Sequence, residues 1–145
     1  MTPIEWGPNL ILFVPQMDRE HSHLAVLANQ FLAAMDAGEP RAALEARLTQ
    51  LIEAFREHAD SEQDLMRSSG YPDLELHTAQ HRKLIEQING LRDGLGSGTV
   101  VLSEAVALFV RVWIEQHITG PDADFAKFLR ANKSSSGPDS LSVGR

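Results

Sequence analysis

Residues 54–85, AFREHADSEQDLMRSSGYPDLELHTAQHRKLI, decide how this chain folds. Two segments with helical apolar periodicity flank the breaker Ser68-Ser69-Gly70, and Pro72 is placed to open the second of them. Each segment carries two metal-competent side chains four residues apart, His58 with Glu62 and His77 with His81. Residues i and i+4 of an α-helix project from one face, so each pair can aim at a single centre. The neighbours are apolar: Ala54 and Phe55 precede His58, and Leu84 and Ile85 follow His81. These rings therefore fall on stripes that a helix turns toward its core.

The same periodicity continues on both sides. Upstream, Leu24, Leu27, Ala28, Phe31 and Leu32 predict a helix to about Asp36, with Asp18 as its cap and Gly38 as its end. Pro40 can occupy the first turn of the helix that carries Leu44, Leu48, Leu51 and Phe55. The third helix is expected to end near Gly94, with Gly94 to Gly98 as a flexible turn. A fourth runs from about Val101 to Ile118 and is broken by Gly120-Pro121. A short helix from Pro121 to about Asn132 follows. Met1 to Gln16 reads as irregular, with Pro3, Gly7, Pro8 and Pro15 as breakers. The predicted fold is all-α: an antiparallel up-and-down four-helix bundle with an irregular N-terminal segment and a short C-terminal helix. One domain is expected over residues 1–132, and a disordered Ser/Gly/Pro-rich tail over 133–145.

Composition narrows the function. The 145 residues fit one domain with a real core. A formal net charge of -7 and a pI near 5.3 give no basic footprint for nucleic acid. No run of eighteen apolar residues suggests a membrane span. The apolar run Leu10 to Val14 lacks a basic flank and a small-residue cleavage site, so a cytoplasmic protein is expected. With no cysteine, disulfides, zinc–thiolate sites and cysteine-ligated iron–sulfur clusters are excluded.

Three further groups complete the constellation. His21 precedes Leu24 and Ala25, and His117 follows Trp113 and Ile114, so each of the four long helices offers a candidate ligand. A lone His-x-x-x-His is weak evidence, because histidines are often partly buried without a special role. Five core-facing histidines are another matter, since each buried ring needs partners and a shared metal supplies them. Imidazole with carboxylate suits a borderline transition metal, and seven groups exceed one tetrahedral site, which points to two ions. Asp122 is the uncertain member. It stands five residues after His117, about 140° off-face on a continuous helix of 3.6 residues per turn. A bent chain could swing it to the centre, or it could simply meet the positive end of the last helix; spacing leaves both open. His23 points away from His21 and reads as surface, while Asp18 could also orient the His21 ring. The ferritin-type Glu-x-x-His pattern is absent.

These segments resemble a known family. Met17-Asp18-Arg19-Glu20-His21, His58 to Glu62 with Met66, Gly70-Tyr71-Pro72, His77 to His81, and Trp113 to Ile118 with Asp122 are similar to single-domain bacterial hemerythrins, over roughly residues 6–130. The resemblance implies two iron ions as cofactor. His77, His81 and His117 would hold one, and His21 and His58 the other. Glu62, Asp122 and an oxo or hydroxo group would bridge them. It implies a protein that binds dioxygen reversibly at an open iron position, for storage, delivery or sensing, rather than an enzyme with catalytic residues. The alternatives are a di-iron enzyme handling peroxide or nitric oxide, and an oxygen- or redox-sensing module acting through a separate partner. Leu24, Phe55, Ala59, Leu84, Trp113 and Ile114 are the expected oxygen pocket. The chain departs from the family where Ala59 follows His58 in place of a phenylalanine, where Gln63 replaces a second glutamate, and where Phe13-Val14 occupy a stretch that commonly holds a glycine. The oligomeric state is left open, and a monomer fits.

Overall fold

The computed structural model describes residues 3–141, with side chains through residue 132. Its helices are α1 (Pro15–Asp36), α2 (Arg41–Ser69), α3 (Leu74–Ser97), α4 (Glu104–His117) and α5 (Ala123–Leu141), with a π-helical turn, Ile118–Asp122, between the last two. No strand occurs among the described residues, and none of their helices is long and apolar enough to cross a membrane. The short links between the first four helices turn the chain back on itself, which gives the expected antiparallel four-helix bundle. Helix α2 packs against both α1 and α3, and α1 also packs against α4. The Trp113 indole N–H closes the ring by donating to the Leu84 carbonyl of α3 at 3.1 Å.

Four core stripes place the site. On α1 the buried residues Met17, His21, Leu24, Ala28 and Phe31 step by four and three in alternation. Leu44, Leu48, Leu51, Phe55, His58, Glu62 and Met66 do the same on α2, except that the last step is again four. The α3 stripe is His77, His81, Ile88, Leu91 and Leu95, and the α4 stripe is Val106, Val110, Trp113 and His117. This spacing keeps one face of each helix toward the bundle axis. Histidines and Glu62 thus occupy positions that packing alone would fill with leucine.

The helix ends differ from expectation where local chemistry outweighs pattern. Val14, not Asp18, is the residue before α1, and Pro15 opens the helix instead of breaking it. Asp18 lies in the first turn, where its Oδ1 accepts the Leu12 N–H at 2.7 Å. Gly94 does not end α3; the helix continues to Ser97, and the chain then returns so that the Val100 N–H donates to the Gly94 carbonyl at 3.0 Å. Val101 and Leu102 lie outside α4 and are exposed. Helix α5 extends past Asn132 to Leu141, while the side chains of the tail expected over 133–145 lie outside the described residues. Between α2 and α3, Gly70 adopts φ +70° and the Tyr71 N–H donates to the Met66 carbonyl at 3.0 Å. That left-handed cap needs glycine and makes the reversal from the Glu62 helix to the His77 helix abrupt.

The N-terminal segment is irregular but anchored. Asn29 of α1 holds Ile4 on both sides, accepting its N–H at 2.7 Å and donating to its carbonyl at 2.9 Å. Ile4, Leu10 and Leu12 join the core, and the Arg130 guanidinium of α5 donates to the Leu12 carbonyl. Phe13 is 75% exposed at φ +61°, a left-handed conformation costly for a side-chain-bearing residue.

Candidate metal centre

All seven expected ligands meet in the bundle interior, each at most 3% exposed. His21 comes from α1, His58 and Glu62 from α2, His77 and His81 from α3, His117 from α4, and Asp122 from the π-turn. One donor atom from each of His58, Glu62, His81, His117 and Asp122 fits within a mutual separation of 4.8 Å. The other two reach the same carboxylates: His21 Nε2 is 2.6 Å from Asp122 Oδ2, and His77 Nε2 is 2.8 Å from both Asp122 Oδ1 and Glu62 Oε1.

The π-turn answers the question that spacing left open. Asp122 would face away from His117 on an α-helix, and Pro121 would clash with the carbonyl four residues back. A π-turn closes through i→i+5 bonds, which widens the backbone around Pro121 and brings the fifth residue under the first. The helix is therefore widened and not broken, and Asp122 Oδ2 sits 2.8 Å from His117 Nε2.

The two carboxylates each span several rings. Asp122 lies against His21, His58, His77 and His117, the His58 Nε2 distance being 3.1 Å. Glu62 lies against His77, His81 and His58, the latter two at 3.1 and 3.4 Å. Yet Glu62 Oε2 and the Nδ1 atoms of His21 and His117 are buried without a hydrogen bond. His58 Nε2 and His117 Nε2 face each other at 3.4 Å. Imidazole nitrogens and carboxylate oxygens aimed at one small space, several lacking a partner, are the arrangement that cations would satisfy. The residues fit a metal.

Protons take that role when no metal is bound. Burial alone would lower the His58 and His77 pKa values, but the hydrogen bonds these rings donate to Asp122, and to Glu20 or Glu62, raise them to about 10 and about 9. Burial lowers that of His81, helped by the charge of His117. Asp122 is held well below the usual carboxylate range despite its burial, because the charge and hydrogen bond of His117 and the hydrogen bonds of His21 and His58 outweigh it.

Behind His58 lies a polar network with little sequence signal. Its Nδ1 faces Glu20 Oε1 at 2.7 Å; Glu20 Oε2 accepts from Ser61 Oγ at 2.7 Å, and Gln16 Nε2 donates to Ser61 Oγ at 2.6 Å. Glu20, not Asp18, is thus the carboxylate that orients a candidate ligand. The contact joins two helices and its carboxylate is only half-buried, so helical spacing carries no trace of it. His23 is exposed, as expected.

Comparison with known proteins fits this arrangement. The hemerythrin HHE cation binding domain matches residues 12–129, most of the chain. The chain belongs to the hemerythrin family. Myohemerythrin of Theromyzon tessulatum is 26% identical over 83% of this chain and 88% of its own length. Bacteriohemerythrin of Methylococcus capsulatus is 28% identical over 90% and 95% respectively. The crystal structure of a mutant protein, 25% identical, superposes with a TM-score of 0.78 over 88% of this chain and 97% of that one. The family is one of non-haem di-iron, oxygen-binding proteins.

The residues expected as a single hemerythrin oxygen pocket divide into three groups. Leu84 and Trp113 line a cleft of about 420 Å³ between α3 and α4, whose floor is His117 and Trp113 and whose exposed rim includes Lys83, Gln87 and Gln116. Phe55 is fully buried, its ring 5.1–5.8 Å from those of His117, His81 and His58 and 4.8 Å from Trp113. Leu24 and Ile114 are buried in the core. Ala59 lies on neither, but lines a groove between α2 and α3.

Proposed function

We propose that this chain binds two iron ions and uses them to bind dioxygen reversibly, in storage, delivery or sensing. The observation that carries the reading is the way Glu62 and Asp122 each touch rings of both expected ligand groups, as bridging carboxylates must. His77, His81 and His117 would hold one ion and His21 and His58 the other. The bound pair would supply electrons and an open coordination position for dioxygen.

The chain's own residues do the rest. Glu20 fixes the His58 ring with Nε2 toward the centre, as a carboxylate behind a metal-ligating histidine does. Phe55, Trp113 and Ile114 exclude water from one side of the cluster, which limits protonation and loss of bound oxygen as peroxide. The cleft walled by Leu84, Phe109, Val112 and Trp113 gives an apolar gas a route to His117.

The experiment is to load the protein with iron, reduce it without oxygen, and record its visible spectrum as oxygen is added and removed. A charge-transfer band that comes and goes with oxygen supports the proposal. Irreversible oxidation in one step refutes it in favour of an enzyme or a sensor that oxidises once.

A further inference from the structure

The α2/α3 groove that holds Ala59 is a second approach to the centre, and its chemistry differs from that of the α3/α4 cleft. It encloses about 460 Å³, and its two buried lining residues are Ala59 and the candidate ligand His81. Its exposed charged residues are Arg56 and Asp60 from α2 and Arg82 and Glu86 from α3. The cleft walls are mainly indole, phenyl and aliphatic beneath a rim of Lys83 and glutamines, whereas the groove, Ile85 apart, presents charged, amide and hydroxyl groups over the Ala59 methyl. Ala59 is 2% exposed, so the helices already meet there, and its small size leaves the space above His81 unfilled. The Gln63 amide stands in the groove with Nε2 3.4 Å from His81 Nδ1. With the amide turned over, its oxygen would accept the Nδ1–H of a ring that binds metal through Nε2. His21 Nδ1 and His117 Nδ1, by contrast, are buried without partners. The outer edge of His81 therefore meets a polar side chain, as those of His21 and His117 do not.

We propose that this groove is the entry route for water and small polar or anionic solutes, with Ala59 as the residue that keeps it open, while dioxygen uses the apolar cleft. The proposal rests on the di-iron reading for what lies at the end of the route, but the groove itself does not depend on it. Ala59→Leu fills the space from α2, and Thr78→Leu fills it from α3 should the first variant fail to fold.

Two measurements test the idea. Exchange of the histidine ring N–H protons with water, followed by ¹⁵N NMR on the protein as purified, should be at least tenfold faster for His81 than for His21 and His117. Either variant should slow it to their level. Binding of azide to the oxidised iron-loaded protein should slow at least tenfold in either variant, while the dioxygen association rate stays within twofold of native. The proposal is overturned if His81 exchanges as slowly as His21 and His117 in the native chain. It is equally overturned if both folded variants leave exchange and azide binding unchanged, or if azide and dioxygen slow in parallel. A protein that shows the exchange contrast but no reversible oxygen band would retain the groove and lose the proposed function.

Discussion

Replacing Glu20 tests whether the centre is built from more than its ligands. The Glu20 carboxylate accepts from the His58 ring at 2.7 Å and from Ser61 at 2.7 Å, with Gln16 Nε2 at 3.5 Å. Its side chain is 26% exposed and that of His58 1%, so the bond is largely shielded from water. Its carboxyl is kept ionised below the usual range, burial being outweighed by His58 and Ser61. Loss of such a carboxylate behind a metal-bound imidazole typically weakens metal affinity about 10–100-fold, or roughly 1.4–2.7 kcal/mol. Glu20→Gln keeps an acceptor oxygen and removes the charge, so it should sit near the tenfold end. Glu20→Ala also strands the His58 Nδ1–H in a buried site and should approach the hundredfold end. The assay is competition for iron with a chromogenic chelator. In the metal-free variants, NMR titration should also show the His58 pKa falling from about 10, because Glu20 is one of the groups that raise it. An alanine variant with iron affinity within twofold of native and an unmoved His58 titration would refute the argument.

Other perturbations have signs that follow from the geometry. In the metal-free protein His58 and His77 have folded pKa values of about 10 and about 9, above the ordinary 6.5. Their contribution is complete below pH 6.5 and is lost as pH rises through 9 to 10, so the apo Tm should fall across that window. The iron-loaded protein, whose rings are neutral ligands, should instead lose stability toward acid, where protons compete for nitrogen; parallel pH profiles for the two forms would contradict this. Phe55→Ala opens a cavity among three candidate ligand rings and should cost about 3–5 kcal/mol in urea unfolding. A cost below about 1 kcal/mol would mean the ring is not packed as described. Phe13→Gly should relieve the left-handed backbone cost, offset partly by the greater freedom of unfolded glycine, for a gain of up to about 1 kcal/mol. A lowered Tm would show that the exposed ring contributes contacts that outweigh the strain.

The helices and most of the site were legible because both depend on periodicity. A helix repeats its face every three or four residues, so His21, His58, Glu62, His77, His81 and His117 could be placed on core stripes from spacing among leucines and phenylalanines alone. Gly70 marked the reversal between two of those stripes because a left-handed cap favours one residue type.

Relations without a period had to wait for the tertiary structure. Asp122 reaches the centre only because the chain widens into a π-turn around Pro121, a choice made by proline sterics together with the packing of the surrounding helices. Glu20 reaches His58 across two helices, and Asp18 turned out to bind the Leu12 N–H, so adjacency in sequence named the wrong carboxylate. The expected pocket residues divided among a cleft, a groove and the buried core because facing helices, and not neighbours along the chain, determine where space remains. Sequence alone determined which side chains turn inward, since that depends on the angle between successive residues of one helix. Only the tertiary structure decided which of them meet and which approaches to them stay open, since that depends on distances between helices.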